Sequence, residues 1–390
     1  MLLSVVFTLI ATTCARLHHT APHSGSFRSL TDKYIVKLKG DVHTSAEAQL
    51  KASLFSAPDH HFAMKGFRGF AGSLTADEFA RLEADNMVDY VEHDGIMHKT
   101  GLVQQENATW GLSRISSHES GGEIYTYDDS AGEGACAYSI DTGIDTTHPD
   151  FEGRATFLVD LTEEQNNVDG DGHGTHTAGT IGSKTYGVAK KSRLYAIKVL
   201  DSYGFGTVSD IIAGLQYAAR DSRNRTAECP KGHVANISLG GSRRKTLNDA
   251  VRALVMSGVF VAVSAGNAAT FAEDYSPASE PTVCTVGAVQ SNDTLAYFSN
   301  YGDLVDILAP GVNVTSTSLN GTTETLSGTS MSSPHVAGLG AYLLSLGADV
   351  GTLCDKIKEL ALVDVISGVH NNTVNLLAFN GVVNLGGYGS

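Results

Sequence analysis

The chain has 390 residues, 42% of them hydrophobic, and carries a formal net charge of −15 at pH 7. That length is sufficient for more than one domain and for a large buried core. The acidic balance argues against a nucleic-acid partner, because such proteins need basic patches to neutralise phosphates. No stretch after the amino terminus approaches the roughly eighteen uninterrupted apolar residues of a membrane span. We therefore expect a protein that binds neither nucleic acid nor membrane.

The amino terminus is typical of a secretory signal peptide. Residues 1–11 are apolar but too few to span a membrane, and residues 13–15 supply a small-residue cleavage site. Residues 1–15 are therefore predicted to be a signal peptide, and the protein is predicted to be secreted. Removal of Cys14 leaves an even number of cysteines in an oxidising compartment, which favours disulfide bonds. Three pairings are possible among the remaining four: Cys136, Cys229, Cys284 and Cys354.

The segment that follows predicts a small α+β domain. It contains no catalytic cluster, and its histidines are interpreted as surface residues. Beyond it, residues 99–107 are polar and unpatterned, which indicates a linker. The predicted strands of the small domain are residues 34–38, 67–74 and 88–92, and the predicted helices are residues 45–55 and 76–84.

After the linker, predicted strands and helices alternate along the chain. Such alternation predicts an α/β fold with a mostly parallel sheet and helices on both faces. In a sheet of this kind the functional site lies at the carboxyl ends of the strands. The predicted strands are residues 136–141, 193–200, 233–239, 259–265, 283–289 and 305–308, and the predicted helices are residues 173–181, 207–220, 247–257 and 329–346.

Four motifs place polar side chains with possible catalytic roles at the ends of these elements. Asp141 closes an apolar strand, and His173 follows a glycine-rich turn. Ser330 stands at the N-terminus of a buried helix, with Pro334 expected in the first turn, and backbone N–H groups there favour a developing negative charge. A carboxylate, an imidazole and a hydroxyl can form the orienting acid, base and nucleophile of an acyl-transfer enzyme. Asn267, just past a buried strand, can supply an amide donor to an oxyanion.

Two further strand ends are suited to hold a peptide backbone. Residues 200–206 and 236–241 both leave a strand in glycine-rich chain. Glycines allow another backbone to approach and form sheet-like hydrogen bonds, although ordinary turns are the alternative interpretation. The basic run at residues 243–245 is interpreted as solvated surface.

Other catalytic and metal-binding classes fit these motifs less well. Aspartic proteases need two Asp-Thr-Gly loops, and the sequence has a single copy at Asp141. His173 and His176 have a zinc-like spacing but lack the glutamate of His-Glu-x-x-His. The turn that begins at Asp169 is similar to a calcium loop, but Thr180 stands where the closing glutamate is needed.

Together, the four motifs resemble those of the subtilisin-like serine proteases, and their spacing is similar to that of the proteinase K branch. The resemblance extends from about residue 110 to about residue 377. It implies a subtilisin-like fold and a reaction that needs no cofactor. It also implies four roles: Asp141 as the orienting acid, His173 as the general base, Ser330 as the nucleophile and Asn267 as the oxyanion donor.

Residues 34–98 resemble the propeptide of the same family, which acts as a folding chaperone and inhibitor. The similar sequences are Tyr-Ile-Val-Lys-Leu at the start and Val-Asp-Tyr-Val-Glu near the end. The resemblance implies a propeptide at residues 16–102 and a catalytic domain at residues 103–390. It also implies that the enzyme cuts itself within the linker, near Gly101, Leu102 and Val103.

The resemblance further implies two disulfide bonds, a calcium site and a substrate cleft. The implied disulfide pairs are Cys136–Cys229 and Cys284–Cys354. The implied ligands of a structural calcium ion are the carbonyls of Pro281 and Val283 and the carboxylate of Asp306, since oxygen donors suit this cation. The implied substrate-binding residues are Gly204, Phe205, Gly206, Ser238, Leu239, Gly240, Ser264, Ala265 and Gly266.

The expected function is therefore that of a secreted, monomeric serine endopeptidase. It would hydrolyse proteins and peptides through an acyl-enzyme and would be made as a self-processing precursor that its own propeptide inhibits. The pocket walls are small residues without a carboxylate to select Lys or Arg, so we expect broad specificity with an apolar or aromatic preference. The alternative is a catalytically inactive secreted homologue that acts as a binding module.

Overall fold

The computed structural model describes residues 33–40, 42, 44–94, 101–370 and 372–382. The predicted signal peptide, and residues 95–100 at the junction of the predicted propeptide and linker, lie outside the described residues. The chain divides into two compact units, Met1–Lys99 and Thr100–Ser390.

The first unit is an antiparallel sheet with two helices. Its elements are β1 Lys33–Leu38, α1 Thr44–Ala52, β2 His60–Met64, β3 Phe67–Ser73, α2 Ala76–Glu83 and β4 Val88–His93. The strands lie in the order β2-β3-β1-β4, and Val36, Phe70 and Leu82 are part of the core. The predicted α+β domain is confirmed. The sequence did not predict β2, because its side chains are mostly exposed and show no apolar alternation.

The second unit contains the remaining elements of the described chain. Its helices are α3 Trp110–Arg114, α4 His173–Gly182, α5 Val208–Asn224, α6 Lys245–Met256, α7 Thr329–Ser345 and α8 Leu353–Leu360. Short 3₁₀ turns lie at Pro149–Phe151, Ala272–Asp274, Leu319–Gly321 and Val350–Thr352. Its strands are β5 Leu102–Gln105, β6 Tyr125–Asp128, β7 Ala135–Asp141, β8 Ala155–Asp160, β9 Arg193–Lys198, β10 Gly232–Ile237, β11 Gly241–Ser242, β12 Val259–Ser264, β13 Tyr275–Ser276, β14 Cys284–Val289, β15 Ile307–Pro310, β16 Val314–Thr317, β17 Thr323–Leu326, β18 Leu362–Val363 and β19 Leu376–Leu377.

A nine-stranded sheet forms the centre of the second unit, in the order β18-β19-β15-β14-β12-β10-β7-β9-β8. Neighbouring strands are parallel throughout, except for the antiparallel pair β18 and β19. The paired strands β5 with β6, β11 with β13, and β16 with β17 lie outside this sheet.

Helices cover both faces of the central sheet. α4, α7 and α8 share one buried cluster with the sheet, and α5 and α6 share the other. In β7, Ala135 and Ala137 belong to the first cluster, whereas Tyr138 and Ile140 belong to the second. Successive side chains of a strand point to opposite faces, so a strand covered on both sides must be apolar on both. The predicted α/β fold, with a mostly parallel sheet and helices on both faces, is confirmed.

Helix α7 is buried along nearly its whole length. A Cβ atom at Gly340 would lie 2.7 Å from the ring of Phe260, so glycine allows the helix to approach the sheet. Pro334 lies inside the helix rather than in the expected first turn, because the helix already begins at Thr329. Since proline has no N–H, the carbonyl four residues earlier, that of Ser330, receives no helical hydrogen bond.

The linker prediction was wrong for residues 102–105. These residues form β5, which pairs antiparallel with β6, from Leu102 opposite Asp128 to Gln105 opposite Tyr125. Leu102 and Gln104 are exposed, and a two-residue apolar start followed by two glutamines carries no strand pattern. The pairing depends on a partner strand some twenty residues away, which local composition does not reveal.

Two disulfide bonds link elements of the second unit. Cys136 is joined to Cys229, and Cys284 is joined to Cys354. These are the pairs that the resemblance implied. Each bond ties a central strand, β7 or β14, to a segment at least 70 residues away along the chain.

None of the helices in the described part of the chain combines the length and the apolar run that crossing a bilayer requires.

Candidate active site

Three predicted catalytic residues stand at the ends of buried elements in the second unit. Asp141 is the last residue of β7, His173 is the first residue of α4, and Ser330 is the second residue of α7. Helices α4 and α7 pack against each other and against β7. Packing therefore brings a carboxylate, an imidazole and a hydroxyl to one edge of the sheet.

A hydrogen bond joins the carboxylate to the imidazole. His173 Nδ1 lies 2.7 Å from Asp141 Oδ1, and the N–H of Thr142 donates to the same oxygen at 2.8 Å. Asp141 is fully buried, whereas about a quarter of the His173 side chain is exposed. Because the carboxylate accepts, Nδ1 carries the proton, and Nε2 of the neutral ring is left as an acceptor.

A second buried carboxylate, Asp169, holds the glycine-rich turn before α4. Its Oδ1 accepts hydrogen bonds from the Thr142 hydroxyl at 2.8 Å and from the Gly172 N–H at 2.9 Å. Its Oδ2 accepts from the N–H of Thr175 at 2.9 Å and from the hydroxyl of the same residue at 2.6 Å. Asp169 therefore connects the Asp141 loop to the start of α4. This role differs from that of a calcium ligand, which the sequence had raised as an alternative.

The charges around His173 raise its pKa above the ordinary value of 6.5. Burial, the largest single effect, lowers this pKa, but the charge and hydrogen bond of Asp141 together with the carboxylates of Asp171 and Asp169 outweigh burial. Each carboxylate favours the charged imidazolium by Coulomb attraction. The arrangement thus stabilises a protonated imidazole at this position.

Ser330 is held at the sheet edge by reciprocal hydrogen bonds with Ser238, which follows β10. The Ser330 hydroxyl donates to the Ser238 carbonyl at 3.2 Å, and the Ser238 hydroxyl donates to the Ser330 carbonyl at 2.8 Å. The second bond satisfies the carbonyl that Pro334 leaves without a helical donor. The hydroxyl of Ser238 therefore replaces the backbone donor that Pro334 lacks.

Two buried side chains behind Ser238 were missed by the sequence reasoning. Asn236 donates from Nδ2 to the Ser238 hydroxyl at 2.9 Å and accepts from the Ser333 hydroxyl at 2.7 Å. Asn236 and Ser333 are both fully buried. A polar residue inside a buried strand needs hydrogen-bond partners, and this requirement was the available signal.

Asn267, three residues beyond β12, is bonded to Thr329, the residue before Ser330. Its side-chain oxygen accepts from both the N–H and the hydroxyl of Thr329, each at 2.8 Å. With the oxygen engaged in this way, the NH₂ group of the same amide must point elsewhere. Thr329 thus fixes which end of the Asn267 amide is available as a donor.

A cleft of about 530 Å³ runs past Ser330 and His173. Six of the nine predicted substrate-binding residues line it: Gly204, Phe205, Gly206, Ser238, Leu239 and Gly240. The other three, Ser264, Ala265 and Gly266, are not among the residues that line it. Ala265 is buried, and its carbonyl accepts from Asn300, while the Gly266 N–H donates to the Thr329 hydroxyl at 3.1 Å.

The predicted metal ligands lie at the start of two neighbouring strands. Pro281 and Val283 precede β14, and Asp306 precedes β15. Asp306 Oδ2 accepts from the Thr285 N–H at 2.9 Å, and the ammonium group of Lys358 lies 3.4 Å from Oδ1. The zinc interpretation of His173 and His176 gains no support, because His173 Nδ1 is bonded to Asp141, His176 Nε2 donates to the Val314 carbonyl at 3.0 Å, and neither histidine belongs to a cluster of possible metal ligands among the described residues.

A buried carboxylate bonded to an imidazole, beside a serine at a helix N-terminus, defines a serine hydrolase. Residues 134–389 match the subtilase family, and residues 33–100 match the peptidase inhibitor I9 family. Over 354 residues the chain is 52% identical to the cuticle-degrading protease of Metarhizium anisopliae, with 90% of each chain covered. It is 48% identical to proteinase R of Parengyodontium album, with 90% of this chain and 89% of that protein covered.

The crystal structure of a cold-adapted subtilisin-like serine proteinase is also similar. It covers 71% of this chain and 100% of its own, with 36% identity and a TM-score of 0.66. The chain belongs to the subtilase family. It is a serine endopeptidase with an I9 propeptide, and the resemblance to the proteinase K branch is confirmed.

The amide of Asn267 generates a prediction about turnover. We expect Asn267→Ala to lower kcat about 10²–10³-fold with little change in KM, because an oxyanion donor acts mainly on the transition state. Thr329→Val, which removes the hydroxyl that fixes the amide, should lose part of the same activity, and Thr329→Ser should retain it. Steady-state kinetics on a peptide substrate measure both constants. A loss confined to KM would instead make Asn267 a substrate-binding residue.

The carboxylate of Asp171 generates a prediction about pH. His173 must be neutral to accept a proton, so kcat/KM rises as pH increases through the pKa of His173. Because Asp171 raises that pKa, Asp171→Asn should move the acidic limb to lower pH by about half a pH unit, and salt should reduce the difference. A pH–rate profile measures the shift. Asp303→Asn, with the same change of charge on the loop before β15, is the control, and an equal shift in both variants would contradict the assignment.

Proposed function

We propose that this endopeptidase is a secreted, monomeric precursor whose nucleophile is Ser330, with His173 as the general base and Asp141 as the orienting acid. The hydrogen bond between His173 and Asp141 carries the proposal. It fixes the imidazole so that Nε2, the basic nitrogen, is left for the cleft that Ser330 also lines. No cofactor enters the proposed reaction, and no nucleic-acid partner is proposed.

The proposed reaction proceeds through an acyl-enzyme. Ser330 Oγ attacks the scissile carbonyl while His173 Nε2 takes its proton and then returns it to the leaving amine. Water, activated by the same imidazole, hydrolyses the ester. Throughout, the buried Asp141 carboxylate holds the ring and stabilises the imidazolium, and the raised pKa of His173 is consistent with that role.

Two donors are proposed for the oxyanion. The first is the Asn267 NH₂ group, whose orientation is supported by the bonds from Thr329 to its oxygen. The second is the Ser330 N–H, which lies in the first turn of α7, where backbone donors have no intrahelical acceptor. Each such donor typically lowers the activation barrier by about 3–4 kcal/mol.

The peptide substrate is proposed to lie along the backbone from Ser238 to Gly240, with Gly204 to Gly206 on the opposite side. The cleft lining supports this placement. Ser264 to Gly266 remain in the proposal as a wall of the pocket nearest the scissile bond. The preference at that pocket is proposed to be broad and apolar or aromatic.

The first unit is proposed to inhibit the second until it is removed by self-processing. The I9 match of residues 33–100 supports the inhibitory role. Because β5 begins at Leu102 and pairs with β6, a cut between Leu102 and Val103 would divide a strand. We therefore place the first cut near Gly101, ahead of β5.

Self-processing predicts a difference between wild type and Ser330→Ala. The wild-type mature chain should begin close to Gly101 and should react with a serine-phosphonylating reagent. Ser330→Ala should be secreted uncut, and heavier by roughly 9–10 kDa, as expected for a domain of under a hundred residues. Mass spectrometry and N-terminal sequencing of secreted protein measure both outcomes. Processing of purified Ser330→Ala without another protease would contradict the nucleophile and the autocatalytic route together.

A structural calcium ion is proposed at Asp306, with the carbonyls of Pro281 and Val283 as further ligands. Burial raises the pKa of Asp306, so its ionised form needs a nearby cation. Lys358 supplies an ammonium group at 3.4 Å and lies 3.0 Å from Asp355 as well. In this proposal, a calcium ion would compete with the ammonium group of Lys358 for the Asp306 carboxylate.

The calcium proposal predicts how Lys358 affects stability. Lys358→Met removes the competing ammonium, so Ca²⁺ should raise the Tm of this variant by about 3 °C more than that of wild type. Thermal unfolding of phosphonylated protein, with Ca²⁺ or a chelator, measures the effect. Lys356→Met, which removes a lysine paired with Glu359 on the same helix, is the control. An unchanged calcium effect in Asp306→Asn would contradict the site.

A further inference from the structure

The substrate cleft extends well beyond the catalytic residues. Past Ser238 and Leu239, its lining continues through Gly241 and Ser242 to Arg244. Apolar side chains of Leu200, Val208 and Leu247 line the same cleft. A basic side chain therefore stands beside an apolar part of the substrate path, in the run 243–245 that the sequence alone indicated as plain surface.

The backbone of Arg244 is fixed against the neighbouring strand. Its N–H donates to the Ser276 hydroxyl at 2.8 Å, and that hydroxyl donates to the Arg244 carbonyl at 3.2 Å. Just before it, β11 pairs with β13, with Gly241 opposite Ser276. The base of the Arg244 side chain is thus held in place at the rim of the cleft.

The guanidinium group of Arg244 has no ion pair within the described part of the chain. The acidic residue nearest in sequence, Asp249, is taken by other cations, and one of these, Arg252, also pairs with Glu280. Asp249 pairs with Lys245 at 2.5 Å and with Arg252 at 3.0 Å, and Glu280 pairs with Arg252 at 2.6 Å. An exposed, unpaired arginine is left beside the cleft of a chain with 42 acidic and 27 basic residues.

The spacing along the cleft indicates which substrate residue lies near Arg244. The Ser238 carbonyl lies 3.2 Å from the Ser330 hydroxyl, so Ser238 marks the scissile bond. An extended peptide advances about 3.3 Å per residue alongside the enzyme backbone. Arg244 is six residues beyond Ser238 along the enzyme chain, so we place the substrate residue beside it about four or five positions before the scissile bond.

We propose that Arg244 is a specificity-determining residue that favours an acidic substrate side chain at this distal position. The inference rests on the proposed function, because it uses the proposed path of the peptide. Arginine offers a planar set of N–H donors that matches a carboxylate. The contact is exposed, so the expected preference for Glu over Ala is about two- to five-fold in kcat/KM, and it decreases with salt.

Internally quenched peptides test the proposal. Each has Phe before the scissile bond and Glu, Ala or Lys at one of the two distal positions. At low salt, wild type should hydrolyse the Glu peptide fastest and the Lys peptide slowest, and the ratios should approach one at high salt. Arg244→Gln should bring the Glu-to-Ala ratio close to one, and Arg244→Lys should restore part of it.

Arg243→Gln is the matched control. It removes the same charge from the adjacent residue, which does not line the cleft, so it should keep the wild-type ratio. Equal hydrolysis of the Glu, Ala and Lys peptides by wild type, or an unchanged ratio in Arg244→Gln, would overturn this inference alone. Failure of wild type to hydrolyse any of the peptides or to react with a phosphonylating reagent would overturn the proposed function as well.

Discussion

The hydrogen bond between Asp141 and His173 is the interaction on which the arrangement of this protein depends. A fully buried carboxylate is costly unless it is hydrogen-bonded and paired with a complementary group. Here the compensation comes from the imidazole and from the Thr142 N–H, and it exists because β7 ends and α4 begins at the same sheet edge. The parallel sheet thus brings the hydrogen-bond donors to the buried carboxylate and offsets the cost of its burial.

A shell of buried polar groups keeps this edge in place. Asp169 binds both the Asp141 loop and the first turn of α4. The fully buried ammonium group of Lys198 donates to the carbonyls of Thr142 and Leu200 at 3.0 and 2.6 Å. On the Ser330 side, Asn236 links Ser238 to Ser333. Each of these groups provides a hydrogen bond that another buried group needs. A network of this kind holds its side chains in place as long as every member is hydrogen-bonded.

The cleft lining carries side chains of both charges, Asp171 and Arg244. Asp171 accepts a hydrogen bond from the backbone N–H of His173 at 3.1 Å, whereas Arg244 follows Ser242 on the lining. Asp249, the acidic residue nearest to Arg244 in the sequence, is engaged by Lys245 and Arg252. Surface charges along helix α6 thereby decide which cation remains available to a substrate.

The sequence by itself determined the central strands and helices, the family and the candidate catalytic residues. Apolar runs such as β7 and glycine-rich turns such as the one before His173 are local signals, so their elements could be predicted nearly to the residue. Only the tertiary structure decided the pairing of β5 with β6, the fit between Pro334 and Ser238, and the exposure of Arg244 on the cleft. These features depend on partners distant in the chain, and a local pattern carries no information about which distant group will supply a missing hydrogen bond or charge.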